Sequence, residues 1–146
     1  LLDVNLKGIW ACLKAELPVM EAQGGGVVVN TASEAGLVGM GGLASYSASK
    51  HGVVGLTRTA ALEYADRGIR VNAIAPGPTE TNIAEHAEGD MDPRSLPFDT
   101  SAMSEVPMGR SATPEEMAGV VAFLCSTDAS FITGHTLPVD GGQAAD

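Results

Sequence analysis

The chain has 146 residues, of which 45% are hydrophobic and 18% charged, and its formal net charge is −10. This composition can supply a buried core and excludes a compositionally disordered chain. The acidic excess argues against non-specific binding to nucleic acids or anionic membranes, because no basic patch is available to neutralise phosphates.

The first half of the sequence predicts a helix, a strand and a second helix. Apolar residues at helical spacing predict the first helix over residues 1–21, with Pro18 disturbing its last turns. The β-branched run 27–31 lacks polar alternation, which favours a strand buried on both faces of a parallel sheet. After a glycine-rich loop, a long helix is predicted over 44–66, and Gly68 is expected to end it in the left-handed conformation.

The second half predicts a strand, a long loop, a helix and a last strand. The apolar run 69–75 predicts another buried strand, broken by the turn Pro76-Gly77-Pro78. The segment 80–110 is polar without firm periodicity, which indicates a loop. Thr113-Pro114-Glu115-Glu116 is a capping box that predicts a helix to about residue 125, and the last strand is predicted over 134–139.

Strands that alternate with helices predict an α/β fold with parallel pairing and right-handed crossovers. We expect half of a doubly wound sheet, with about three strands and flanking helices. Ligands of such sheets bind beyond the carboxyl ends of the strands. Ser33 and the turn Pro76-Gly77 follow two of these ends, and Tyr46 and Lys50 lie in the first turns of the second helix. The four groups are therefore expected to meet in one crevice.

Tyr46 and Lys50 are four residues apart, so on a helix their side chains lie on one face. A lysine ammonium beside a phenol favours the phenolate and would lower the tyrosine pKa from about 10. Tyr46 could then act as a proton donor and acceptor near neutral pH. Taken alone, Ser33 is typical of a turn and Asn5 of a helix surface, so the prediction depends on their convergence.

One glycine motif has a competing interpretation. The segment Gly39-Met40-Gly41-Gly42-Leu43-Ala44 matches G-x-G-x-x-A and precedes a helix. In a dinucleotide fingerprint the glycines directly follow a strand, whereas about eight residues intervene here. We therefore predict a flexible loop rather than a phosphate site. The sequence has no P-loop, no HExxH motif and no metal-spaced cluster, and its histidines are scattered, so no metal site is expected.

The two cysteines, Cys12 and Cys125, lie in apolar helical patterns without a Cys-x-x-Cys spacing. We expect both to be small buried thiols in a reducing compartment. No leader-like segment and no run of about 18 apolar residues occurs, which predicts a cytoplasmic protein. Because the chain opens at Leu1 without an initiator methionine or a helix start signal, we expect a fragment.

With these residues in place, the chain resembles, almost end to end, the C-terminal part of a short-chain dehydrogenase/reductase. Ser33 precedes Tyr46 by thirteen residues, which is the family spacing. The motifs that carry the resemblance are Asn5 in Val-Asn-Leu-Lys-Gly, Ser33 in Val-Asn-Thr-Ala-Ser, Tyr46-Ser-Ala-Ser-Lys50, Arg70-Val-Asn-Ala-Ile-Ala-Pro-Gly77, Thr81 and Val139-Asp140-Gly-Gly142. The resemblance implies that residues 1–146 are the catalytic half of an NAD(P)-binding Rossmann-like domain, with a substrate lid over about 80–110.

The resemblance implies an oxidoreductase that interconverts an alcohol and a ketone or aldehyde. Tyr46 would be its general acid and base, and Ser33 would hydrogen-bond the substrate oxygen. Lys50 would hold the nicotinamide ribose, and Asn5 would hold a water of a proton relay.

The implied cofactor is NAD or NADP. The turn Pro76-Gly77, with Thr79 and Thr81, would grip its nicotinamide carboxamide. The family's first half carries the glycine-rich phosphate turn and the residue that selects between the two cofactors, and nothing in this sequence matches it. We therefore expect this chain alone to be inactive, with its first strand left as an exposed edge.

The implied partners are a small carbonyl or alcohol substrate and further copies of the chain. In this family the helices that carry Asn5 and Tyr46 pack against their symmetry mates, as a homodimer or homotetramer. We expect the outward face of the second helix to be apolar, through Val53, Leu56, Ala60 and Tyr64.

Two other functions compete with the oxidoreductase. The first is a non-catalytic interaction or regulatory domain that retains the fold. Intact Asn5, Ser33, Tyr46 and Lys50 argue against it, because a binding domain need not keep all four. The second is a hydrolase with Ser33 as nucleophile, but the sequence lacks a Gly-x-Ser-x-Gly elbow and a credible histidine partner.

Overall fold

The computed structural model describes residues 1–81 and 106–145, so most of the predicted lid over about 80–110, namely 82–105, lies outside the described residues. Helices and strands alternate along the described chain as the sequence predicts. In chain order they are α1 (Ile9–Ala22), β1 (Gly26–Thr31), α2 (Ala44–Tyr64), β2 (Ile69–Pro76), α3 (Pro114–Cys125) and β3 (Thr136–Val139).

The three strands form one parallel sheet in the order β1-β2-β3, which confirms the predicted half of a doubly wound fold. Gly26 to Thr31 of β1 pair with Ile69 to Ile74 of β2. Ala73 to Pro76 of β2 pair with Thr136 to Val139 of β3. All three carboxyl ends therefore lie at the same edge of the sheet, and β1 is an outer strand of the described sheet.

The ends of the helices follow from local chemistry. Gly68 adopts the predicted left-handed conformation after α2, at φ 73°. At the start of α3, the Glu116 carboxylate accepts a hydrogen bond from the Thr113 N–H at 2.8 Å, as the capping box predicts. α1 continues through Pro18 to Ala22, so the proline does not end the helix. A π-helical segment, Asp3–Gly8, precedes α1 and was not predicted.

Alternate side chains of β2 face opposite layers of the fold. Ile69 and Val71 join a core with Leu13 of α1 and Ala60 of α2. On the other face, Arg70 donates to the carbonyl oxygens of Leu124 at 2.8 Å and Ser126 at 3.0 Å. α1 and α2 thus cover one face of the sheet and the end of α3 covers the other.

Asn72 fixes the segment that leads into β3. Its Nδ2 donates to the Ile132 carbonyl at 2.8 Å, and its Oδ1 accepts from the His135 N–H at 3.0 Å. The side chain is fully buried, so both bonds replace contacts with water. Asn72 therefore holds β3 beside β2, a role that the sequence pattern does not reveal.

The prediction that this face of α2 points outward is wrong. Val53 and Ala60 are buried in the core, and Leu56 and Tyr64 are partly buried against it. The side chain that α2 exposes most among the large apolar ones is Leu62, at 86%. Helical periodicity shows which residues share a face but not whether the sheet covers that face.

The prediction of buried cysteines is also wrong, because Cys12 and Cys125 are both exposed and unpaired. Each helix turns its other sides, such as Leu13 and Leu124, to the interior. No helix in the described ranges is long and apolar enough to cross a membrane.

Candidate active site

A cleft of about 680 Å³ lies at the carboxyl edge of the sheet, between the ends of β1 and β2 and the start of α3. All the predicted site residues except Asn5 line this cleft, namely Ser33, Tyr46, Lys50, Pro76, Gly77, Thr79 and Thr81. Its wall also includes residues that the sequence analysis missed, Ser111 and, on α3, Pro114, Met117, Ala118 and Val121. The convergence predicted from strand ends is therefore observed.

Ser33 follows β1 in an extended conformation and caps a buried 3₁₀ turn, Glu34–Gly36. Its Oγ accepts a hydrogen bond from the Ala35 N–H at 3.2 Å. Because a hydroxyl can accept and donate at once, the Ser33 hydrogen can still be given to a ligand oxygen in the cleft. The turn also immobilises this side chain, which is 8% exposed.

Tyr46 and Lys50 lie in the first two turns of α2 and both face the cleft. The Lys50 ammonium lies 5.7 Å from the centroid of the Tyr46 ring and donates to the Thr31 carbonyl oxygen at 2.9 Å. Burial lowers the pKa of Lys50 from its usual value. A cation is thus tied to the end of β1 beside a phenol, as the four-residue spacing predicts.

Two glycines, Gly36 and Gly77, allow backbone segments around the cleft to approach each other closely. A Cβ atom on Gly36 would lie 2.8 Å from the backbone C and O atoms of Lys50, so the Ser33 turn touches α2 directly. A Cβ atom on Gly77 would lie 2.8 Å from the Cα atom of Asp140. The Gly77 N–H also donates to the Val139 carbonyl at 3.1 Å. No side chain fits at either contact without moving the backbone.

Asn5 is not brought into the cleft. It is half-buried in the π-helical segment Asp3–Gly8, which packs against α2. One close approach is between Leu6 and Gly52, where a Cβ atom on Gly52 would lie 2.6 Å from the leucine Cδ1 atom. Single π-helical turns are frequent near functional sites, but the described contacts assign no ligand to Asn5.

Glu34 is a site neighbour that the sequence analysis missed. It follows Ser33, is 6% exposed, and its Oε2 atom has no hydrogen-bond partner among the described residues. Burial, and secondarily the charge of Asp140, raise the pKa of Glu34 to about 7. The one feature of the sequence that could have indicated this residue is the position of a glutamate just after a predicted buried strand.

No histidine of residues 1–81 and 106–145 lines the cleft. Of the two histidines within the described ranges, His51 has its Nδ1 atom 3.0 Å from the Ser47 carbonyl oxygen, and His135 uses its backbone N–H to bond Asn72. A serine nucleophile needs an adjacent base, so the described geometry disfavours the hydrolase.

Polar and apolar side chains line the cleft together. Lys50, Thr79 and Thr81 lie beside its apolar walls. The glycine motif at 39–44 does not follow a strand, because the 3₁₀ turn Glu34–Gly36 stands between it and β1. As predicted, that motif is irregular chain rather than a strand-to-helix phosphate turn.

Comparison with known proteins agrees with this geometry. Residues 1–144 match a family model described as enoyl-(acyl carrier protein) reductase. The cyclohexanol dehydrogenase of Acinetobacter sp. (strain SE19) is 49% identical over 145 residues, covering 99% of this chain and 53% of that protein.

Two solved structures extend the comparison. The crystal structure of levodione reductase is 44% identical, with a TM-score of 0.86 over 99% of this chain and 56% of that one. The structure of ElxO with NADP bound is 37% identical, with a TM-score of 0.82 over 97% of this chain and 56% of that one. The chain thus spans about half the length of the proteins it matches.

The contact between the Ser33 turn and α2 gives a prediction that is independent of function. We expect Gly36→Ala in the intact protein to lower the free energy of unfolding by about 1–3 kcal/mol, because the added methyl group meets the Lys50 backbone. Gly39→Ala is the matched control, since no atom lies within 4 Å of a Cβ there. Urea denaturation measures both variants, and equal losses would contradict the direct contact.

Proposed function

The chain belongs to the short-chain dehydrogenase/reductase family, and from this premise we propose that the intact protein interconverts an alcohol and a ketone or aldehyde with NAD or NADP. The observation that carries the proposal is the cleft that joins Ser33, Tyr46 and Lys50 to the Pro76-Gly77 turn. The names of the relatives agree, since they include a cyclohexanol dehydrogenase, a levodione reductase and a protein solved with NADP bound.

In this proposal the cleft holds the nicotinamide half of the cofactor. Lys50 would bind the ribose hydroxyls through ammonium hydrogens that are not given to the Thr31 carbonyl. The backbone at Pro76-Gly77, with Thr79 and Thr81, would hold the carboxamide. When bound, the nicotinamide supplies the acceptor or donor of the hydride.

The proton and the developing charge are handled by side chains of this chain. In carbonyl reduction, the Tyr46 hydroxyl gives its proton to the substrate oxygen, and in alcohol oxidation Tyr46 takes that proton. The Ser33 hydroxyl donates a hydrogen bond to the same oxygen and stabilises its negative charge. We also propose that Asn5 holds a water that relays the proton to solvent. Support for this role is indirect, since its segment packs on the helix that carries Tyr46 and Lys50.

The hydride-transfer proposal is tested by Tyr46→Phe in the intact protein. We expect kcat/KM to fall by roughly 10²–10⁴-fold, because the proton donor is lost, while affinity for NADH or NADPH changes little. Tyr64→Phe is the matched control, a tyrosine of the same helix outside the cleft. Nicotinamide absorbance, with cyclohexanol and levodione as first substrates, measures the rates, and cofactor fluorescence measures the affinity.

The outcomes separate the candidate functions. If activity survives Tyr46→Phe, Tyr46 is not the general acid and base of the reaction. An intact protein that binds neither cofactor and turns over no alcohol or ketone would favour the non-catalytic interaction domain instead.

The same absorbance assay can be applied to the isolated 146-residue chain. We propose that it is inactive alone, because the described residues hold no phosphate-binding turn after a strand. Any alcohol- or ketone-dependent change in nicotinamide absorbance with this chain would overturn that statement.

We further propose that the intact protein is a homodimer or homotetramer. A groove between the π-helical segment and α2 is lined by apolar side chains that include Leu2, Leu6, Trp10 and Leu56. Trp10 is 48% exposed, which is unusual for a large aromatic side chain without a partner surface. Sedimentation equilibrium of the intact protein is expected to give two or four copies, and a monomer at micromolar concentration would refute this.

A cytoplasmic location is likewise a proposal. It is supported by Cys12 and Cys125, which are both exposed and unpaired. In an oxidising compartment such thiols would tend to form disulfides. Cell fractionation tests it, and recovery of the protein outside the cytoplasmic fraction would contradict it.

A further inference from the structure

Three residues follow the carboxyl ends of the three neighbouring strands: Glu34 follows β1, Gly77 follows β2 and Asp140 follows β3. The Ala32 N–H still donates to the Ile74 carbonyl at 2.8 Å, two residues before Glu34. A Cβ atom on Gly77 would lie 2.8 Å from the Cα atom of Asp140, so the middle turn touches the Asp140 segment. Gly77 has no side chain that could stand between the two acidic residues.

Glu34 lies in a tightly held turn. The Ser33 hydroxyl caps its turn, and Gly36 presses the turn against the Lys50 backbone. The carboxyl group is buried, and its Oε2 atom has no partner among the described residues. A buried carboxylate without a partner is costly, so this environment favours the neutral acid.

Asp140 has the opposite environment. Its Oδ1 atom accepts from the Gly142 N–H at 3.0 Å, and its Oδ2 atom accepts from the Ala144 N–H at 2.9 Å. Both oxygens act as acceptors, which suits an ionised carboxylate. The backbone of Asp140 also packs on Gly77, in the turn proposed to hold the nicotinamide.

The other charged groups of the neighbouring elements are already engaged. From α2, the Lys50 ammonium is bonded to the Thr31 carbonyl. From α3, Glu116 is paired with Arg110, and both line a separate cavity on the side of Asp140. Among the described residues, Asp140 is the charged group that raises the pKa of Glu34, because its negative charge opposes a second one there.

We propose that Glu34 is a positioning residue, whose protonated carboxyl lets the Ser33 turn pack beside the Asp140 segment and so keeps the Ser33 hydroxyl aligned with the Gly77 turn. This inference rests on the proposed hydride-transfer function. When Glu34 loses its proton, two carboxylates face each other across Gly77, and their repulsion separates the substrate-binding turn from the cofactor-binding turn. The reaction is expected to slow while the catalytic side chains themselves stay intact.

The pH dependence has a definite sign. The pKa of Glu34 rises from 4.5 to about 7 on folding, so the folded chain keeps a proton that the unfolded chain releases. The free energy of unfolding therefore falls as pH rises from about 4.5 to about 7 and is level above that. The proposed alignment is lost in the upper part of the same window, as pH passes about 7.

The test compares the intact wild-type protein with Glu34→Gln, which has nearly the same shape and cannot ionise. We measure kcat/KM at pH 6 and at pH 8. The ratio of the two values is expected to be up to about tenfold larger in the wild type, because a group with a pKa near 7 loses most of its protons over this range. Glu63→Gln, an exposed glutamate of α2, is the matched control and is expected to keep the wild-type ratio. Equal ratios in wild type and Glu34→Gln would overturn the proposal.

A second readout does not need enzymatic activity. Urea denaturation of the same proteins between pH 4.5 and pH 8 is expected to show the fall in unfolding free energy in wild type and its absence in Glu34→Gln. If no protein transfers hydride, the proposed function fails while these curves still decide the ionisation of Glu34. Identical curves would overturn the ionisation of Glu34 and with it the positioning role.

A third variant covers the case in which Glu34→Gln does not fold. Asp140→Asn removes the facing charge while keeping an oxygen that can accept the Gly142 N–H. The loss of activity between pH 6 and pH 8 is then expected to be smaller than in the wild type, because an ionised Glu34 no longer meets a like charge and the two turns stay aligned. Removing the Asp140 charge also lets Glu34 ionise at a lower pH, since that charge helps to raise its pKa. A profile identical to that of the wild type would overturn the proposal.

Discussion

The in-register parallel pairing of β1, β2 and β3 is the constraint on which the rest of the described structure depends. It brings residues far apart in the sequence to one sheet edge, because the carboxyl ends of parallel strands meet there. The pairing of β3 is secured by Asn72, which bonds the Ile132 carbonyl and the His135 N–H. A shift of β3 along β2 would move Asp140 away from Gly77 and deform the floor of the cleft.

The second requirement is a close approach between α2 and this edge. The Lys50 ammonium bonds the end of β1, and Gly36 lets the Ser33 turn touch the helix backbone. Tyr46 thereby stands one helical turn from a fixed cation and lines the same cleft as the fixed Ser33 hydroxyl. Electrostatic stabilisation is most effective when the donors are placed before the reaction starts, and these contacts supply that placement.

The sequence was sufficient to predict the α-helices and strands of the described chain and to bring Ser33, Tyr46, Lys50 and the Pro76-Gly77 turn together. It succeeded because glycines, caps and β-branched runs act locally. It did not predict the burial of Val53 and Ala60 or the exposure of Cys12 and Cys125. The reason is that burial depends on which other elements cover each face of a helix. The burial of Glu34 was also beyond the sequence, as was the charge of Asp140, more than a hundred residues away, which helps to raise the pKa of Glu34. Asn5 is the site residue that the described cleft does not include.

The central claim is that Tyr46 and Ser33 act on the same substrate oxygen. It is tested most directly by a crystal structure of the intact protein with NADP or NAD and an unreactive alcohol or ketone analogue. The account predicts one analogue oxygen within about 3.2 Å of both the Tyr46 Oη atom and the Ser33 Oγ atom. An analogue whose oxygen contacts neither hydroxyl, while the nicotinamide occupies the cleft, would contradict it.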